Sequence, residues 1–232
     1  MRILVELLPH GNYDYSSINK HHIQAVIYSM LKHSPFDVLH NLRGFKYFTF
    51  SDIMPPTDFK EGEKKYLLIS SPSSPFIKFL KQRIKEVEEI SIKGLKFSLN
   101  VKKLPNKLPK KWITASPVVI KKDRNKYFSF LRDTNITFFL ERLKENALKK
   151  YNSYYNASLY FDGPIFERMK FSKSVAVSMT IREKRFIIIG SMWKVLEIPK
   201  ISGELKKFYK FLFDCGIGEK NSLGFGCLNE KF

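Results

Sequence analysis

The chain has 232 residues, and 41 Lys and Arg against 22 Asp and Glu give it a formal charge of +19. That excess favours polyanions and speeds encounter with them, so nucleic acid leads the list of partners. Hydrophobic residues make up 44%, with 21 Phe and 11 Tyr, which excludes a disordered basic tail and suits one large domain or two small ones.

Taken in chain order, Arg2 to Leu8 reads as a strand. Ile18 to Lys32 reads as a helix, with Ile23, Ile27, Met30 and Leu31 on one face. Ser34-Pro35 breaks it, and a short helical turn through Phe36, Val38 and Leu39 follows. Phe45 to Ser51 alternates as a strand does, and Tyr66 to Ile69 is another. Ser71-Pro72-Ser73-Ser74-Pro75 introduces a helix from Phe76 to about Val87. Ile90 to Leu99 supplies one or two strands around Gly94. The Lys- and Pro-dense stretch from Lys102 to Lys111 has no periodicity and reads as a linker.

The pattern then resumes. Trp112 to Lys121 is strand-like around Pro117, and Thr134 to Lys150 is a helix with a Thr or Asp cap. Phe166 to Thr180 and Arg185 to Lys194 are strands, Ser202 to Asp214 is a helix, and Phe225 to Glu230 closes the chain as a strand. This order predicts an α+β protein of two tandem ferredoxin-like (RRM-like) domains, each β-α-β-β-α-β. The expected boundaries are 1–104 for the first domain, 105–111 for the linker and 112–232 for the second.

The start, Met1 to Pro9, carries Arg2 and Glu6 and is no signal peptide. No apolar run approaches membrane-spanning length. A cytoplasmic protein without a membrane partner is expected. The two cysteines, Cys215 and Cys227, fit no zinc spacing. The carboxylates fall mostly on predicted helices and loops, so neither a metal site nor any cofactor is expected.

Four glycines crowd the eleven positions from Gly216 to Gly226, namely Gly216, Gly218, Gly224 and Gly226, with Lys220, Asn221 and Ser222 between the pairs. The run is neither a Walker loop nor a dinucleotide fingerprint. Glycine permits positive φ, and such a loop can aim successive N–H groups at a phosphate. In a chain this basic, the expected ligand is a nucleic-acid backbone, with Lys220, Asn221 and Ser222 as phosphate or sugar contacts. The alternative is a structural turn that lets two halves pack closely. Arg168, Lys170 and Lys173 on the predicted hairpin are further candidates for an RNA track.

A second group lies near the N-terminus. Tyr28 sits at the edge of its helix, off the apolar stripe; His40 follows the break; Lys46 lies on the next strand. A Tyr, a His and a Lys together suit RNA cleavage by the RNA's own 2′-hydroxyl. That reaction needs a base, an acid and a cation on the phosphorane. Each residue also has an ordinary alternative: ring packing, a structural histidine, a solvated lysine.

The glycine run resembles the signature of the CRISPR repeat-processing endoribonucleases, the sixth CRISPR-associated (Cas) family of the RAMP superfamily. The opening Arg2-Ile3-Leu4-Val5-Glu6-Leu7-Leu8-Pro9 is similar to that family's first strand, Gln24-Ala25-Val26-Ile27-Tyr28 to its first helix, and Leu39 to Phe50 to its catalytic stretch. The resemblance is strong at both ends and thin from about residue 55 to 200. It implies two tandem ferredoxin-like domains and metal-independent cleavage of precursor CRISPR RNA within its repeats, leaving a 2′,3′-cyclic phosphate and a 5′-hydroxyl. It also implies Tyr28, His40 and Lys46 as the catalytic group of the archaeal-type branch. CRISPR repeat RNA is the implied partner; a homodimer and a hand-off to an effector complex stay open. The other reading is a catalytically silent subunit that binds repeat RNA.

Overall fold

The computed structural model describes residues 1–123, 126–181, 184–201 and 203–231. Two α+β units follow one another. The first holds β1 (Arg2–Pro9), α1 (Lys20–Leu31), β2 (Thr49–Phe50), β3 (Lys65–Ser70), α2 (Ser74–Glu86), β4 (Glu89–Ile92) and β5 (Leu95–Lys103). The second holds β6 (Lys111–Thr114), β7 (Lys121–Asp123), β8 (Lys126–Tyr127), α3 (Ile136–Tyr155), β9 (Arg168–Ile181), β10 (Lys184–Glu197), α4 (Gly203–Cys215) and β11 (Leu228–Glu230).

The sheets run β2-β3-β1-β5-β4 and β11-β6-β10-β9, and every neighbouring pair is antiparallel. With β4 set aside as a hairpin partner of β5, both sheets share one order. The first and third strands of each unit lie side by side, the second lies outside the third, and the last lies outside the first. Together with the β-α-β-β-α-β element order, this is the ferredoxin-like architecture, twice. β7 and β8 form a small separate hairpin inserted before α3.

Period-two burial explains β1: Ile3, Val5 and Leu7 face the core, where Ile23, Ile27, Phe76, Leu80 and Ile84 of α1 and α2 meet them. In the second unit Trp112 packs with Phe139, Leu143 and Ala147 of α3 and Phe208 and Leu212 of α4. The units are tied together. The terminal ammonium of Met1 pairs with Asp214 at 2.8 Å. The buried Arg2 donates to the Leu228 carbonyl and lies over the Phe213 ring at 4.0 Å. Among the described residues, no helix is long and apolar enough to cross a membrane.

Several element bounds differ from expectation. The strand expected over 45–51 shrinks to Thr49–Phe50, because Tyr47 has φ +52° and the alternation breaks there. The strand expected over 112–121 ends at Thr114. Beyond it, Ala115 N–H donates to the Cys227 carbonyl at 2.7 Å, and the Pro117 carbonyl accepts from Gly226 N–H at 2.8 Å. The cap of α3 is Asn135, whose side chain accepts from Phe138 N–H, and the helix runs on to Tyr155 until Asn156 turns left-handed at φ +49°. The closing strand is confined to β11. Ser202, expected to open the last helix, lies outside the described residues.

Candidate functional site

The local sequence brings Tyr28, His40 and Lys46 together by three devices. First, the apolar stripe of α1 is buried, which leaves Tyr28 half-buried at the helix edge. Its ring packs edge-on against the fully buried Phe48, with centroids 6.0 Å apart. Second, Ser34 closes α1 by donating to the Leu31 carbonyl at 2.6 Å, and Phe36 anchors the following turn against Phe76 and Phe79 of α2. That turn ends in His40, which is exposed. Third, the left-handed residue Tyr47 sends its own ring away, onto Tyr154 of α3 and Phe211 of α4.

Lys46 Nζ donates to the Tyr28 hydroxyl at 2.9 Å and to the His40 carbonyl at 3.0 Å. The Tyr28 and His40 rings meet edge to face with centroids 5.2 Å apart. An ammonium has no acceptor capacity, so the phenol oxygen accepts from Lys46 and its own hydrogen is free to point elsewhere. His40 Nδ1 lies 2.8 Å from Asn41 Oδ1. This contact puts the hydrogen of a neutral ring on Nδ1 and leaves Nε2 with a lone pair. A phenol, an imidazole nitrogen and an ammonium thus converge, the set that proton transfer plus stabilisation of phosphorane charge requires.

Lys46 also lines a polar cleft of about 530 Å³. Its wall includes Lys220, Asn221 and Ser222, so the structure joins the trio to the middle of the glycine run through this one lysine. Among the described residues, five cations line the cleft, Lys46, Lys121, Arg142, Lys150 and Lys220, against the single carboxylate of Glu219. Such a surplus in a concave site suits an anion.

The glycines themselves are buried. Gly224 has φ +82°, and a Cβ there would overlap the Phe50 ring. Gly218 has φ +68°, and its Cβ would lie 2.6 Å from the Val119 carbonyl oxygen. Glycine is required at both positions for backbone conformation and for close approach. The Asn221 amide is used inside the loop: it donates to the carbonyls of Ile217 and Phe225 and accepts from Lys150. Lys150 is fully buried, donates also to the Gly216 and Gly218 carbonyls at 2.7 and 3.1 Å, and has its pKa lowered by that burial. Lys220 is left-handed at φ +60°, and burial lowers its pKa as well. Arg168, Lys170 and Lys173 lie elsewhere, exposed on the edge strand β9, and do not line the cleft.

Sequence reasoning missed Lys121, Arg142, Asn146 and Lys150. A signal existed for three of them. Arg142, Asn146 and Lys150 recur every four residues on α3, each one position before the buried Leu143, Ala147 and Tyr151. That is a polar stripe beside an apolar one. A second cavity, about 630 Å³ and walled largely by carbon between α3 and β9, contains none of the trio.

The sequence profile described as "CRISPR associated protein Cas6, C-terminal" matches residues 99–230. The chain is 44% identical to the "CRISPR-associated endoribonuclease Cas6 2" of Methanocaldococcus jannaschii over 99% of both chains. The chain belongs to the Cas6 family. It is also 34% identical to "CRISPR-associated endoribonuclease Cas6 1" of the same organism, over 81% of this chain and 75% of that one. A solved structure titled "CRISPR associated protein Cas6" superposes with a TM-score of 0.72 at 26% identity, over 100% of this chain and 99% of that one. The Cas6 resemblance thus extends through the middle of the chain, where motifs alone were thin.

Proposed function

We propose that this Cas6-family chain is an endoribonuclease that cuts precursor CRISPR RNA within its repeats. Kinship to proteins named as Cas6 endoribonucleases supports the activity. The observation that carries the mechanism is Lys46 Nζ, bonded at once to the Tyr28 hydroxyl and the His40 carbonyl. In this reading the 2′-oxygen attacks the adjacent phosphorus, the bond from phosphorus to the 5′-oxygen breaks, and a 2′,3′-cyclic phosphate and a 5′-hydroxyl form. Tyr28 and His40 share the two proton transfers, one taking the 2′-hydroxyl proton and the other supplying the 5′-oxygen. Lys46 stabilises the charge of the phosphorane. No metal enters the scheme. The glycine run holds the cleft wall, and its Lys220 and Ser222 stand beside the RNA path. Arg168, Lys170 and Lys173 offer further phosphate contacts on β9. Self-association and release of the product to a CRISPR effector complex are extensions of the same reading.

The test is single-turnover cleavage of the host's repeat RNA in EDTA, with an all-ribose substrate and one carrying 2′-deoxyribose at the cut site. Wild type is expected to cut only the all-ribose RNA. His40→Ala is expected to slow the cut about 100-fold or more while binding persists. Cutting of the 2′-deoxy substrate, or complete loss of activity in EDTA, rules out the mechanism. Tight binding with no cutting by wild type identifies a silent RNA-binding subunit instead.

A further inference from the structure

The cleft beside Lys46 holds one polar group for which the protein has no use. Asn146 lies on α3 between Arg142 and Lys150, one helical turn from each, and all three line the cleft. Asn146 Oδ1 is buried and meets no hydrogen-bond partner among the described residues. Its neighbours are engaged. Lys150 and Asn221 are bonded into the glycine run, and Arg142 pairs with Glu145 at 2.6 Å. A buried amide oxygen without a partner is uncommon, because desolvation is then uncompensated. In a concave, cationic site this calls for a ligand that offers hydrogen bonds of its own.

The surroundings specify that ligand. Lys121 and Lys220 carry no ion pair with a carboxylate among the described residues and suit phosphate. Half-buried Phe45, the residue before Lys46, gives the cleft an aromatic face on which a base can stack. A volume of about 530 Å³ has room for a nucleotide. A carboxamide presents one donor and one acceptor side by side, and the edge of an unpaired RNA base offers the complementary pair: N6 with N7 or N1 in adenine, N4 with N3 in cytosine, N1 with O6 in guanine, N3 with O4 in uracil.

We propose that this cleft seats the nucleotide flanking the scissile phosphate and that Asn146 reads its base. The inference rests on the endoribonuclease reading above and adds a specificity-determining residue to it.

The experiment measures single-turnover cleavage of the host's repeat RNA with each of the four bases in turn at the two positions flanking the cut. Wild type, Asn146→Leu and Asn146→Asp are compared; the aspartate keeps the shape and loses the donor. Wild type is expected to favour one base about tenfold or more at one flanking position. Both variants are expected to flatten that preference while preferences elsewhere in the repeat stay as they are. A merely structural role would slow all substrates alike. Cutting by wild type without a base preference at either position, or a preference unchanged in a folded variant, overturns the assignment of Asn146 and leaves the proposed activity standing. Failure of wild type to cut any of these RNAs overturns both.

Discussion

Gly224 is the residue where conformation and packing make the same demand. Its φ of +82° belongs to the left-handed region, and a Cβ would run into the Phe50 ring. Gly224→Ala is expected to cost roughly 3 kcal/mol, from left-handed strain plus overpacking. Phe50→Leu in the same chain should recover part of the packing share and none of the strain. Urea unfolding of the two single variants and the double variant measures this; full additivity would show that the ring and the glycine do not interact. Asp52 and Gly224 are both reached by Lys20, so the same stretch also anchors α1. Lys46 allows a sharper separation of roles. Lys46→Met, which keeps length and loses the charge, is expected to reduce cleavage about 100-fold or more with little change in stability. Equal losses of cleavage and folding, seen by single-turnover assay and melting, would make it a structural residue.

The elements show how local chemistry sets the site. α1 begins with a capping box in which His22 stands where Glu or Gln is usual: Asn19 Oδ1 accepts from His22 N–H at 3.1 Å, and His22 Nδ1 accepts from Asn19 N–H at 3.2 Å. Only the neutral ring can accept there. Burial, followed by the charges of Lys93 and His21, lowers the His22 pKa below its ordinary 6.5. The folded state therefore binds a proton less readily than the unfolded chain. Its contribution is fully present above pH 6.5 and is lost as pH falls through the lowered folded value. His22→Gln keeps an acceptor without titrating. The stability of wild type relative to this variant should fall as pH drops from 7 to 5, by urea unfolding at each pH. A flat difference would show that the cap does not respond to protonation.

At the scale of the whole molecule, two ferredoxin-like units face each other across polar ties that run from the buried interior to the exposed edge. Thr49 donates to the Phe225 carbonyl at 2.9 Å, Gln24 to the Ser222 carbonyl at 2.9 Å, and Tyr47 to Ser153 at 2.9 Å. We propose that the domain boundary lies in segment 105–111. With so many ties, a single proteolytic cut there should leave the halves co-eluting in size-exclusion chromatography. Separate peaks under native conditions would show that the covalent link holds them. The charge of +19 also makes a global prediction. Repeat-RNA affinity should fall log-linearly with salt, with a slope of about 0.7 per phosphate neutralised. Lys121→Ala should lower that slope by about one contact's worth. An unchanged slope would take Lys121 off the RNA path.

The sequence by itself determined the kinds and order of the ferredoxin-like elements, though not the β7–β8 hairpin, and with them the α+β class and the three residue types of the candidate trio. Helical and strand periodicities are local, and Ile23, Ile27, Met30 and Leu31 show their shared face within nine residues. The glycine density was equally plain, and so was the alternative that it lets two halves pack closely. What periodicity could not decide were the places where one residue departs from its neighbours' pattern. Tyr47 turns left-handed and ends the strand expected through Lys46. Only the tertiary structure decided what converges. Lys20 meets the Gly224 carbonyl 204 positions away, and Lys150 meets that of Gly216 66 positions away. The cleft of Lys46, Lys121, Asn146 and Lys220 draws on four separate stretches of chain. No local pattern encodes such a meeting, because it follows from how the sheets and helices of both units pack rather than from the spacing within any one of them.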